Sequence, residues 1–339
     1  MSRKLITIST IMTLMSTSIM ADAPNVAADI APVHSLVSRV MDGVGEPKLV
    51  IQSGASPHGY RLRPSEAKAL QDANLIFWMG EELTPWLDGA IDTLASNASV
   101  TSLLDQEGVV LHEFREGALF EAHDHSAHDD HDDHDDHDDH KDHDDHDDHK
   151  DHDDHDDHKD HDDHDDHGHG AHDPHAWLSP ENAKLWLNII ASKLSVADPE
   201  NAATYFTNAA AGQAEIEETI SEVSATLKPV KGGKFVVFHD AYQYFENDFD
   251  FYASGAISLS DASDPSPARI AKIQKRIRDE GIQCVLAEPQ FKQGLVATVM
   301  EGSEATASVI DPLGADIKPG PKLYTQLIKN MAKTLRDCL

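Results

Sequence analysis

Between residues 123 and 172 the chain repeats Asp-Asp-His with an occasional Lys, and almost nothing in that stretch can enter a hydrophobic core. Any fold must therefore be built from the two flanking parts. The insert holds 18 of the 23 His: His123, His125, His128, His131, His134, His137, His140, His143, His146, His149, His152, His155, His158, His161, His164, His167, His169 and His172. It also holds 24 Asp against three Lys, so 21 of the 34 net negative charges lie there and the remainder of the chain is ordinarily acidic. A period of three does not follow the helical 3.6, so the imidazoles would share no helix face, and disorder is the expectation. Neutral imidazole binds zinc, copper or nickel, and a neighbouring Asp can ligate or orient it. At three or four ligands per ion the insert would hold on the order of five ions, each weakly because chain ordering opposes binding. An acidic spacer would explain the Asp but not one His in every three residues.

The opening residues read as an export signal spanning 1–23. Arg3 and Lys4 precede a mostly apolar run from Leu5 to Met20, and Ala21 and Ala23 offer cleavage sites. The run is interrupted by Ser and Thr and is shorter than the ~20 residues of a spanning helix. No Cys lies nearby to carry a lipid, so the expected location is the periplasm. The two Cys, Cys284 and Cys338, could close one disulfide in that oxidising compartment. Their spacing matches no zinc motif.

About 315 residues then remain, more than one core usually organises. Short β-rich runs at 25–30, 48–52 and 75–79 alternate with helical patterns beginning at Pro32 and Pro64, which predicts a parallel sheet with helices on both faces. Ser179-Pro180-Glu181 starts a helix, and Asp198-Pro199 starts another whose apolar residues recur to Leu227. Unbroken, that helix would be about 45 Å long. Strands are expected again at 234–238, 249–257, 283–287 and 308–310, with helices at 267–280 and 322–335. The fold class is α/β: two lobes with mainly parallel sheets joined by a long rigid helix. The expected division is 24–122 for the first lobe, 123–172 for the insert, 173–197 for the return segment, 198–229 for the connecting helix and 230–339 for the second lobe.

Five His lie outside the insert: His34, His58, His112, His175 and His239. His58 follows the second strand, His239 directly follows the strand at 234–238, and Asp311 follows the strand ending at Ile310. Ligands of open parallel sheets bind beyond the carboxyl ends of strands, so these three side chains should converge. His175, in the turn Asp173-Pro174-His175, brings the chain back from the insert. Three imidazoles and a carboxylate or water would complete a four-coordinate zinc site, with Asp311 as ligand or as acceptor for an imidazole N–H. Each of these His could instead be a satisfied structural histidine. His34 and His112 are not expected to ligate.

Pro57-His58-Gly59-Tyr60 with Arg63-Pro64-Ser65, Asp173-Pro174-His175-Ala176-Trp177-Leu178-Ser179-Pro180, Phe238-His239-Asp240-Ala241-Tyr242 and Ala287-Glu288-Pro289-Gln290 resemble the zinc- and manganese-specific solute-binding proteins of ABC transporters, in family order. The likeness extends over essentially the whole mature chain and is greatest to the ZnuA type, which also carries a charged His-rich insert at this point. It implies a metal site in the interlobe cleft with His58, His175 and His239 as ligands, and Asp311 where some members ligate. It implies zinc as the transported ligand, and as partners an inner-membrane permease with a cytoplasmic ATPase, the chain itself being a monomer. Manganese-type relatives tend to carry a carboxylate in place of His239, and a third imidazole favours zinc. Pro57 stands where some zinc members have an acidic residue, which leaves the fourth ligand open. Cys284 and Cys338 resemble the disulfide pair of that type.

Other function classes find less support. No segment is basic enough to grip nucleic acid, and Gly232-Gly233-Lys234 lacks the upstream Gly of a phosphate loop. No HExxH or GxSxG pattern signals a hydrolase. A metal-storage protein would use the insert but has no need of two α/β lobes.

Overall fold

The computed structural model describes residues 23–115, 120, 172–258, 265–291 and 293–339. The expected export signal and nearly all of the insert lie outside them. The first lobe contains β1 (Val26–Ala28), α1 (Ala31–Val40), β2 (Lys48–Leu49), α2 (Pro64–Gln71), β3 (Leu75–Trp78), α3 (Pro85–Leu94) and β4 (Ser99–Ser102). Its sheet runs β2-β1-β3-β4, and every pair is parallel. After the insert come α4 (Pro180–Ala197) and α5 (Ala202–Leu227). The second lobe follows with β5 (Phe235–His239), α6 (Gln243–Phe249), β6 (Ala256–Ser258), α7 (Pro267–Glu280), β7 (Cys284–Ala287), α8 (Gln293–Met300), β8 (Thr306–Val309) and α9 (Leu323–Cys338). Its sheet, also parallel throughout, runs β6-β5-β7-β8.

Burial explains which strands the sequence made visible. Every residue of β3, β5 and β7 is buried, as expected for central strands covered on both faces. The outer strands β4 and β8 expose half or more of their residues, and β4 carries only Thr101 inward. The sequence reading passed over β4, α3 and α8. In α3 the only buried residues are Leu87 and Ile91, too few for an apolar stripe to register.

The expected strand over 249–257 is corrected. Phe249 ends α6, because Phe245 and Phe249 lie one turn apart with ring centroids 4.7 Å from each other. Asp250 then adopts a left-handed conformation that stops the helix, and the strand is confined to Ala256–Ser258. The long helix is also shorter than expected. A 3₁₀ turn at Pro199–Asn201 precedes α5, whose 26 residues span about 39 Å.

The helix α5 packs against α4, α1 and α9, so it contacts elements of both halves of the chain. Gly212 permits the close approach: a Cβ there would stand 3.0 Å from Leu187 Cδ1 and 3.1 Å from Arg39 Cγ. One hydrophobic core runs through both lobes and the connecting helices, and a smaller one lies beneath α7 and α8. Cross-lobe hydrogen bonds reinforce the shared core. Ser35 Oγ donates to Gly320 O at 2.7 Å, and Trp177 Nε1 donates to Pro312 O at 2.8 Å.

Cys284 on β7 and Cys338 at the end of α9 form a disulfide, with Cα atoms 5.7 Å apart. It fastens the last helix to a central strand. Closing a 54-residue separation stabilises the fold by about 4 kcal/mol in the chain-entropy model. Reduction should therefore lower the urea midpoint of the metal-free protein and remove about 2–4 kcal/mol of unfolding free energy. An unchanged midpoint after verified reduction would contradict this.

Candidate metal centre

The β2–α2 loop, the turn before α4 and the end of β5 bring His58, His175 and His239 to one small cavity between the lobes, lined also by Trp177, Glu288 and Gln290. His58 sits in the β2–α2 connection, which Trp86 holds by donating from Nε1 to Pro57 O at 2.7 Å. His175 precedes the short turn Ala176–Leu178 that leads into α4, and Ser179 caps that helix by accepting from Asn182 N. His239 is the last residue of β5 rather than the first beyond it. His175 and His239 are buried, whereas His58 is half-buried.

The two buried rings are each held from behind. Asp173 Oδ1 accepts from His175 Nδ1 at 2.6 Å and from His175 N at 3.0 Å. Glu288 Oε1 accepts from His239 Nδ1 at 2.7 Å. Where these carboxyls are ionised they only accept, so each Nδ1 then carries the proton and each Nε2 presents a lone pair. Those two Nε2 atoms lie 3.4 Å apart. Two ligands of one tetrahedral zinc, at about 2.05 Å from it, would be about 3.35 Å apart. The ring centroids agree: His175 lies 5.2 Å from His239 and 5.5 Å from His58, against about 5.2 Å for imidazoles sharing such an ion. The rings are gathered but not closed, since among the described residues no three His, Cys, Asp or Glu side chains form a finished metal cage.

Buried negative charge surrounds this point. Burial pushes the Asp173 carboxyl up to about 7, against the opposing hydrogen bond from His175 N. Burial likewise raises Asp240, and it pushes Glu246 up to about 7. Arg115 joins these last two: its Nε donates to both Asp240 oxygens at 3.0 Å, and its Nη1 donates to Glu246 Oε2 at 2.5 Å. Phe120 lies on the other side of the guanidinium, 3.6 Å from its carbon. Among the described residues Arg115 pairs with Asp240 and Glu246, and Arg269 also acts on Asp240, while Asp173 and Glu288 face the imidazoles, where a divalent cation would offset their charge.

Asp311 is engaged by its own turn. Its Oδ1 accepts from Leu313 N and Gly314 N at 2.9 and 3.0 Å, and its Oδ2 accepts from Ala315 N at 2.5 Å. The carboxylate organises its own turn and lines a neighbouring cavity with Pro289 and Met331. The acceptors for the His175 and His239 N–H groups are Asp173 and Glu288, which the sequence reading did not single out. The signal was present, because Asp-Pro-His places an acid two residues before a ligand candidate.

His34 and His112 lie elsewhere, as expected. The His34 ring bonds Pro47 O and Ser38 Oγ, and burial holds its pKa below the usual imidazole value. His112 packs against Tyr244 and contacts Asn247. Of the insert imidazoles only His172 is described. It pairs with Glu113 in an isolated antiparallel bridge, and its Nδ1 lies 3.4 Å from Glu82 Oε1.

Residues 26–338 match the family model described as ZnuA, zinc-uptake complex component A, periplasmic. The chain belongs to the ZnuA family. The high-affinity zinc uptake system protein ZnuA of Brucella abortus strain 2308 is 49% identical over 322 residues, which cover 95% of this chain and 93% of that protein. The protein of the same name from Paracoccus denitrificans is 45% identical over 320 residues, covering 94% and 93%. A crystal structure of ZnuA shares the fold with a TM-score of 0.69 at 20% identity, over 94% of this chain and 99% of that one. The ZnuA family is one of solute-binding components rather than enzymes, and zinc is its ligand.

Loss of an orienting carboxylate should weaken binding without removing it. Asp173→Asn or Glu288→Gln should lower zinc affinity about 10–100-fold, measured by chelator competition. Wild-type affinity in both variants would show that the carboxylates do not orient these rings.

Proposed function

We propose that the chain captures zinc in the periplasm and delivers it to an inner-membrane ABC permease driven by a cytoplasmic ATPase. His58, His175 and His239 are the ligands, through Nε2 at least in His175 and His239. The observation that carries this reading is the pair of Nε2 atoms 3.4 Å apart, each on a ring tied from behind to a buried carboxylate. Facing lone pairs at that distance repel unless a cation stands between them. Zinc suits three imidazoles better than magnesium, calcium or manganese, which favour oxygen ligands. His58, its ring centroid 5.5 Å from that of His175, would complete the shell. The kinship with zinc-uptake proteins supports the same conclusion.

Delivery fits the site better than catalysis does. The cavity is only about 10 Å³ to the centre of a water-sized sphere, too small for an organic substrate. Residues 1–23 act as the cleaved export signal, and the protein works as a monomer. The imidazoles of the insert collect or buffer zinc at lower affinity, which storage alone would also require, but the oriented buried site is what a capture protein adds.

Calorimetric titration separates the two classes of site. His239→Ala should lose the one tight zinc equivalent and keep the weak ones. Removing residues 123–171, which preserves the Glu113–His172 pairing, should do the reverse. Tight binding that survives His239→Ala undiminished would refute the ligand assignment.

Protons compete for the same lone pairs. Below about pH 6.5, tight affinity should fall more than about tenfold per pH unit, because more than one imidazole must be deprotonated to bind. A pH-independent affinity between 5 and 7 would be incompatible with a three-imidazole site.

A further inference from the structure

For the fourth position of the ion, Pro57 offers no side-chain donor where some relatives have an acid, and the Asp311 carboxylate accepts from three backbone N–H groups and lines the neighbouring cavity. Gln290 lines the same cavity as the three imidazoles. Both atoms of its amide are inaccessible to solvent, and among the described residues neither has a hydrogen-bond partner. An unpaired buried amide is destabilising, and proteins retain few of them. Its placement is not incidental. After β7 the chain turns so that Phe291 N donates to Glu288 O at 3.2 Å, and Phe291 packs its ring on His239 with centroids 5.4 Å apart. One turn therefore orients His239 through Glu288 and also brings Gln290 to the cavity.

We propose that Gln290 is a positioning residue for the fourth ligand: its Oε1 accepts a hydrogen bond from a water that completes the zinc shell. The inference rests on the three-imidazole reading above. A neutral amide suits this task. It fixes the water without adding a further negative charge to a site already bounded by Asp173 and Glu288, and it leaves the water exchangeable when the ion is handed on. The metal-free protein bears the cost, since Oε1 gains its partner only when the ion and its water are present.

The test uses the full mature chain with Zn²⁺ and Co²⁺ as probes, comparing wild type, Gln290→Met and Gln290→Glu. Methionine has similar volume and removes the unpaired amide. It should leave the melting temperature of the metal-free protein unchanged or higher while weakening zinc about tenfold or more in chelator competition. The visible absorption of the Co²⁺ form should change intensity as the fourth ligand is lost or displaced. Glutamate restores an acceptor at the same reach and should recover affinity to wild type or beyond. A structural role alone would lower the melting temperature and the affinity together, and that outcome overturns the proposal. So would unchanged affinity and an unchanged Co²⁺ spectrum in Gln290→Met, or a glutamate variant no tighter than the methionine one. A wild-type chain without a tight equivalent would instead sink the three-imidazole site itself.

Discussion

Two imidazoles whose outer nitrogens are tied to buried carboxylates, and whose inner nitrogens face each other 3.4 Å apart, make an arrangement that a cation satisfies. The carboxylates fix the tautomer as well as the angle, so neither ring can turn its proton inward without losing a short hydrogen bond. Everything else in the fold serves to hold those rings there. The Asp173–His175 pair lies within a single turn, so its geometry is local. The Glu288–His239 pair joins the ends of neighbouring strands β5 and β7, so its geometry depends on the sheet. The cation between them would link a local motif to a tertiary one.

The lobes are poorly suited to large opening motions. The principal core is continuous through them, α5 packs on both α1 and α9, and Tyr324 of α9 donates to Trp177 O beside the site at 2.9 Å. A hinge would have to break these contacts together. Entry and release would then fall to the loop that carries His58, the least buried of the three candidate ligands, where the Pro57 carbonyl accepts from Trp86 Nε1. Small loop movement against a stiff frame fits a protein that binds one ion rather than enfolding a large solute.

Much of this was legible in the residues. Strands such as Phe235–His239 are apolar up to their last residue because they are buried on both faces, and His58 and His239 stand beyond or at strand ends, where α/β folds place ligands. What stayed hidden was information that side-chain sequence does not carry. Asp311 read by position as a ligand or as an imidazole acceptor, and the structure adds that its oxygens also accept from three local N–H groups, an arrangement set by the backbone of 312–315. Phe249 looked like the start of a strand because aromatic residues favour strands, yet its contact with Phe245 one turn earlier places it in a helix. The orienting role of Glu288 depends on the pairing of β5 with β7 and has no one-dimensional signature.

The attachment of the insert follows from the same geometry. On its leading side Arg115 is bound to Asp240, the residue next to His239, and on its trailing side His172 stands three residues before His175. Both ends are thus fastened beside candidate ligands and to each other through the Glu113–His172 bridge and the bond from Asp173 N to His112 O at 2.8 Å. An ion taken up anywhere along the insert is therefore tethered to the site. Weak individual imidazole sites are then an advantage, because a tight site on the tether would compete with the cavity instead of supplying it. On this view the position of the insert matters as much as its composition: it interrupts the chain where departure and return both fall within a few residues of the metal centre.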